Sequence, residues 1–259
     1  MRHIERISYL DKLKKLNNTP DIKVVTGIRR SGKSVLMQDY IQYIVENEPD
    51  ANIIMVNLQD LEYDNLLDYH ALHEYVLFKY IKNTHNLVFI DEVQLCDKFE
   101  LAINSLHSKA VFDIYITGSN AFLLSSDLAT LFTGRVMQIE VYPFSFSEYM
   151  DYNGNPQDIE EAFEEYSIYG GMPGAYVYGE QKQDYVREVY RTIIVRDLVD
   201  KYKIRNEAEF KNMAEFMIDN IGNLLSPNNV CNCLNYNKSS ITRKTISKYI
   251  EYLCNAFLF

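Results

Sequence analysis

The sequence predicts an α/β fold: a five-stranded, mostly parallel sheet with helices on both faces, followed by a smaller helical region. Three observations point there. Short apolar, β-branched runs recur through the first part of the chain, each separated from the next by helical periodicity. Strands so short and so uniformly apolar are buried on both faces, the condition of a parallel sheet covered by right-handed crossover helices. After Pro143 the alternation stops and only helical patterns remain.

In order along the chain, residues 7–16 read as a short helix that ends at Asn17-Asn18-Thr19-Pro20. Residues 22–26 are a β-branched run ending in glycine and form the first strand. A long helical pattern covers 33–46, and the second strand is 53–58. Helix is expected over 66–82, the third strand over 87–91, helix over 99–108 and the fourth strand over 113–117. A short helix at 122–132 leads to an alternating fifth strand at 135–141. Beyond Ser145 the helical patterns are broken at Asn153-Gly154-Asn155-Pro156 and at Tyr169-Gly170-Gly171-Met172-Pro173-Gly174. A helix then runs over 181–202, and residues 206–259 hold three more. Phe210, Met213, Met217 and Ile221 recur at helical spacing and are read as core.

Composition narrows the function classes. At 259 residues the chain holds one large domain or two modest ones. With 47% hydrophobic and 24% charged residues it is ordinary globular material, so wholesale disorder is excluded. A net charge of −10 argues against a protein that coats nucleic acid or anionic membrane. The charge is unevenly spread: from Lys182 onward there are 12 Lys/Arg against 9 Asp/Glu, before it 14 against 27. The expected organisation is an α/β domain at 1–143, a helical lid or linker at 144–205 and a winged-helix-like domain at 206–259. Cys96, Cys231, Cys233 and Cys254 are too few for a disulfide scaffold, and Cys231-Asn232-Cys233 lacks the spacing of a zinc knuckle. No apolar leader and no spanning segment is visible, so a cytoplasmic setting without a membrane partner is expected.

Gly27-Ile28-Arg29-Arg30-Ser31-Gly32-Lys33-Ser34 fits the phosphate-loop pattern G-x-x-x-x-G-K-[ST], with a strand before it and a helix after it. Gly27 and Gly32 allow backbone turns that L-residues resist. The loop N–H groups converge as an anion nest, reinforced by the positive end of the following helix. Lys33 then reaches the β- and γ-phosphates, and the Ser34 hydroxyl is a ligand for Mg²⁺. Arg29 and Arg30 have three readings: phosphate, a neighbouring subunit or solvent.

The third strand ends in Asp91-Glu92. The carboxyl ends of parallel strands form the ligand crevice, which brings Asp91 beside the loop as a metal ligand, direct or through water. Glu92 follows as the general base for an attacking water. The fourth strand ends in Thr117-Gly118-Ser119-Asn120, where Ser119 and Asn120 are both candidates for a γ-phosphate sensor. Arg135 opens the fifth strand after Gly134, and as a guanidinium it suits a γ-phosphate in cis or in a neighbour.

These residues resemble an AAA+-type P-loop ATPase of the additional-strand catalytic-glutamate class. More narrowly, the chain resembles the prokaryotic ATPases in which an AAA domain is followed by a winged helix and a C-terminal domain of unknown function. The narrower match rests on Gly134-Arg135, Pro143-Phe144-Ser145-Phe146-Ser147-Glu148-Tyr149, Tyr169-Gly170-Gly171-Met172-Pro173 and Arg196-Asp197-Leu198, together with the 245–250 stretch. The resemblance implies ATP and Mg²⁺ as cofactors, with Lys33, Glu92, Asn120 and Arg135 as the catalytic set and a homo-oligomer as a partner. Asn120 departs from the small hydroxyl residue usual at its position. The sequence also stops at Phe257-Leu258-Phe259, where that family continues through a wing strand into another domain.

The helical tail resembles a winged helix-turn-helix, with Ser239-Ser240 capping its third helix. Thr242, Arg243, Lys244, Lys248 and Tyr249 would face DNA. Four cations, Lys238 included, are few for such a partner, and a docking or lid module is the competing reading. Two functions follow: Mg²⁺-dependent ATP hydrolysis coupled to the helical domain, or a nucleotide-gated DNA- or protein-binding module with little turnover. No guanine-reading Asn-Lys-x-Asp motif occurs, and no kinase acceptor site is evident.

Overall fold

The structure is a computed structural model that describes residues 3–118, 132, 134–236 and 241–259. The chain divides into two compact units, Met1–Tyr185 and Val186–Phe259. The division falls inside the 144–205 segment expected to be a lid.

In the first unit, β1 (Ile22–Thr26), β2 (Asn52–Asn57), β3 (Asn86–Asp91), β4 (Phe112–Thr117) and β5 (Val136–Glu140) form one sheet in the order β2-β3-β4-β1-β5. Every neighbouring pair is parallel. Inserting β3 and β4 between β2 and β1 is a crossover that needs helices on both faces. Alternation within the strands supplies both. Ile22, Val24, Ile54, Val56, Val88, Ile90, Ile114 and Ile116 pack with α3 (Tyr69–Phe78) and α4 (Phe99–Ser108) through Leu72, Val76, Ala102, Ile103 and Leu106. Val25, Leu87, Phe89, Tyr115 and Ile139 face the other way. They meet α1 (Ile7–Lys15) and α2 (Lys33–Asn47) through Leu10, Leu13, Leu36, Met37, Tyr40 and Ile44.

The long helix expected over 66–82 is shorter. A 3₁₀ turn at Leu61–Leu66 precedes it, and Asp68 caps α3 by accepting the His70 and Ala71 N–H groups. Beyond Phe78 the Asn86 side chain ties down the connection. It accepts the Ile81 N–H and donates to the Ile81 and Thr84 carbonyls, which gives the backbone a non-helical partner. The short helix expected at 122–132 lies outside the described residues, apart from buried Phe132.

After β5, Ser145 and Glu148 form a reciprocal capping box that starts α5 (Phe146–Tyr152), and Asp158 caps α6 (Ile159–Tyr169). At the amino end of the strands, Lys23 and Asp113 form a buried ion pair that also receives the Tyr115 hydroxyl.

The helix α7 (Lys182–Thr192) continues into a π-helical stretch at Ile193–Asp200. In the second unit follow α8 (Glu207–Asp219), α9 (Pro227–Tyr236) and α10 (Arg243–Asn255). Phe210, Met213 and Met217 are buried, but Ile221 is 70% exposed because α8 ends before it. Thr242, not the Ser239-Ser240 pair, caps α10; those serines lie outside the described residues. Tyr249 is buried edge-on against Phe210, which leaves Arg243, Lys244 and Lys248 as the exposed basic side chains of this helix. Among the described residues no helix is long and apolar enough to cross a membrane.

Candidate functional site

The phosphate-loop pattern joins the carboxyl end of β1 to the start of α2, at the strand ends where an α/β sheet opens its crevice. Gly27 has φ +148°, and a Cβ there would lie 2.1 Å from the Val141 carbonyl oxygen. Only glycine fits both demands. Gly32 is the left-handed N-cap of α2 at φ +97°. No side chain caps this helix and its first turn holds no acid, the arrangement in which a helix start receives an external anion. Lys33 is buried and its Nζ donates to the Gly27 and Ile28 carbonyls at 3.0 Å each, holding the ammonium over the loop. Ser34 is half-buried on the first turn. Ser31 Oγ is buried with no hydrogen-bond partner. Arg30 is exposed and turns aside, its guanidinium 5.2 Å from the Tyr185 ring centre, while Arg29 is half-buried.

Asp91 ends β3 and is buried. One strand, β4, separates it from β1, so two strand spacings of about 4.8 Å each place roughly 10 Å between the acid and the loop strand. That gap suits a phosphate-bound cation. Thr117, fully buried at the end of β4, joins both acids: its hydroxyl donates to Asp91 Oδ1 and accepts the Glu92 N–H at 3.1 Å. Glu92 itself sits in the left-handed region at φ 55°, an uncommon conformation for a side chain of this size. Its carboxylate accepts from the Gln94 amide. Thr117 is thus engaged in aligning the acidic pair. Ser119 and Asn120 lie outside the described residues.

Arg135 is not brought to the loop within the chain. It is exposed just before β5, and its carbonyl accepts the Ile22 N–H at the amino end of β1. The loop leaves β1 at the opposite end, so the expectation of a γ-phosphate contact in cis is corrected by the parallel register itself.

A cavity of about 260 Å³ opens beside Gly32, between the N-terminal segment, α2 and the stretch after β5. Ile4, Val35, Leu36, Phe144 and Tyr152 give it apolar walls. Asp39 lines it too; its Oδ1 pairs with His3 Nε2 at 3.1 Å, and its Oδ2 is buried with no hydrogen-bond partner. Burial pushes the Asp39 carboxyl above its ordinary value, against the opposing pull of His3. A larger cavity of about 580 Å³ lies at the amino end of the strands among Asn18, His85 and Phe112, far from the loop, and has no part in this site.

Thr117 stands in the Thr117-Gly118-Ser119-Asn120 stretch that the sequence offers for a sensor, whereas Gln94, Asp39 and Arg6, whose guanidinium bonds the Ser31 carbonyl, are not among the expected site residues. A strand-ending threonine beside two acids carried a local signal. For the other three the sequence offered none, since nothing local tells a helix-face Asp39 from an exposed one.

Residues 19–150 match the family profile described as an AAA domain, and residues 160–259 match a domain of unknown function. A Haemophilus influenzae protein named as uncharacterized is 33% identical over 262 residues, covering 99% of this chain and 66% of that protein. The uncharacterized protein MJ1544 of Methanocaldococcus jannaschii is 32% identical over 251 residues, covering 92% of this chain and 55% of its own. The chain therefore spans just under two thirds of one relative and just over half of the other. Among solved structures, the Aeropyrum pernix ORC1 protein in complex with DNA superposes with a TM-score of 0.48 at 11% identity, over 99% of this chain and 84% of that one.

Proposed function

This chain belongs to the AAA+ P-loop ATPase family, and on that premise we propose that it binds ATP with Mg²⁺ and hydrolyses it to ADP and phosphate. The observation that carries the reading is the juxtaposition at the strand ends. An uncapped helix start with a buried lysine lies across one strand from a paired, threonine-aligned Asp91–Glu92. The loop N–H groups and Lys33 bind the β- and γ-phosphates. Ser34 and Asp91 supply hard oxygen donors that fit Mg²⁺, and they would hold it. Bound there, the cation neutralises charge on the phosphate oxygens. Glu92 takes the proton of a water that attacks the γ-phosphorus in line. The bond from that phosphorus to the ADP oxygen breaks, and ADP leaves with the electron pair. Arg135, at the far end of β5, reads a γ-phosphate only in a neighbouring copy, so an oligomer would complete the site.

The 260 Å³ cavity beside Gly32 suits the base. Adenine offers its exocyclic amine to the unmet Asp39 Oδ2, whereas guanine places an acceptor oxygen at the corresponding edge. The wild type is therefore expected to prefer ATP over GTP by roughly tenfold or more, the worth of a hydrogen bond to a charged group. Asp39→Ala is expected to bring the two within about threefold. Competition against a fluorescent ATP analogue measures both; an unchanged ratio rules out Asp39 as the base reader.

Calorimetric titration with Mg·ATP and a phosphate-release assay test the function, each with and without duplex DNA. Saturable binding with turnover supports hydrolysis. Binding without turnover in every condition supports a nucleotide-gated module, with Arg243, Lys244 and Lys248 as the basic contacts. Failure to bind ATP rejects both.

A further inference from the structure

Arg6 is 4% exposed and spends all five of its N–H donors. Nε donates to Glu148 Oε1 at 2.7 Å, and Nη2 donates to Glu148 Oε2 at 2.9 Å and the Pro143 carbonyl at 3.4 Å. Nη1 donates to the Tyr142 carbonyl at 2.8 Å and the Ser31 carbonyl at 3.1 Å. The guanidinium also lies against the rings of Tyr9 and Phe144, 4.5 and 5.5 Å from their centres. Burial alone would raise the Glu148 carboxyl, but Arg6 and the Ser145 N–H outweigh it and hold it below its ordinary value.

Most of these contacts fasten the N-terminal segment to the stretch after β5. The bond to Ser31 is different, because Ser31 is in the phosphate loop. We propose that Arg6 is a positioning residue for that loop: by holding the Ser31 carbonyl outward it keeps the Gly32 N–H turned toward the seat of the β-phosphate. The inference rests on the nucleotide reading above. A trans peptide sets its C=O and N–H in opposite directions, so fixing one fixes the other. The Ser31–Gly32 peptide needs fixing. Gly32 stands at φ +97° with open space where a Cβ would be, and the Ser31 hydroxyl has no partner. A flipped peptide would aim a carbonyl oxygen at the phosphate and remove a donor at once. A planar cation that is saturated elsewhere and stacked against two rings cannot follow such a flip.

The test uses Arg6→Lys, which keeps the charge but loses the planar fork, and Glu148→Gln, which keeps an acceptor oxygen for the guanidinium and leaves its bond to the Ser31 carbonyl in place while weakening the fastening to the stretch after β5. Arg6→Lys is expected to weaken ADP and ATP about tenfold, the worth of a charge-assisted donor's lost alignment. Glu148→Gln is expected to lower Tm yet leave ADP affinity within about twofold, and in the wild type the Gly32 amide proton should move downfield with ADP but not with AMP. An Arg6→Lys protein that binds ADP like the wild type overturns the proposal. So does a Glu148→Gln protein weakened as much as Arg6→Lys, or a Gly32 amide unmoved by ADP. If Arg6→Lys does not fold, the Glu148→Gln and amide readouts decide. A wild type that binds neither ADP nor ATP rejects the nucleotide reading itself, which separates the two failures.

Discussion

Glu92→Gln is expected to cut steady-state ATP turnover by about 10²–10⁴-fold, the usual worth of a positioned general base, while leaving Mg·ATP affinity within a few-fold. The two halves of this result have separate causes. Glu92 sits beyond β3; Thr117 accepts its N–H, the Gln94 amide donates to its carboxylate and the Leu95 N–H to its carbonyl. None of these partners belongs to the Gly27–Ser34 loop, so removing the charge leaves the phosphate seat intact. The substitution also preserves size and keeps an oxygen for Gln94, so the left-handed backbone at φ 55° has no new reason to move. What disappears is the capacity to accept a proton. Single-turnover phosphate release with calorimetric Kd on the same preparation separates chemistry from binding. A Glu92→Gln protein that turns over like the wild type removes Glu92 from the mechanism. Asp91→Asn serves as the contrast: Asp91 would hold the cation and also receives the Thr117 hydroxyl, so that change is expected to weaken both binding and turnover.

Much of the site was legible because its parts are local. The loop is eight consecutive residues between a strand and a helix, and the acidic pair ends an apolar run. The parallel sheet likewise followed from runs with no polar face. What was not legible depends on distance along the chain. Arg6 meets Ser31 across 25 residues and Glu148 across 142, and no periodicity of either segment encodes the meeting. Asp39 owes its burial to a cavity wall built from the N-terminal segment and the region after β5. Arg135 is the instructive case. β5 borders β1, and parallel pairing puts the residue opening β5 beside Ile22 and not beside Gly27. Strand direction sets which end of β1 the residue opening β5 meets.

Lys33→Ala is expected to weaken Mg·ATP binding by two orders of magnitude or more, with a smaller loss for ADP. Charge-assisted hydrogen bonds exceed neutral ones, and two phosphoryl groups share this one ammonium. The buried position strengthens the effect, since screening by water is reduced around a group only 5% exposed. ATP should suffer more than ADP because the γ-phosphate adds a second contact to the same cation. Folding should survive. Alanine is the better helix former at the first residues of α2, and the Gly27 and Ile28 carbonyls, which now accept from Lys33, lie at the crevice where water can replace the ammonium. A Tm close to that of the wild type would therefore accompany the loss of binding, and that pairing identifies a ligand defect as opposed to a collapsed loop. If ATP affinity instead stays within about threefold, the lysine is a loop brace and the triphosphate binds elsewhere. Then Glu92 has no γ-phosphate within reach and the hydrolytic reading falls with it.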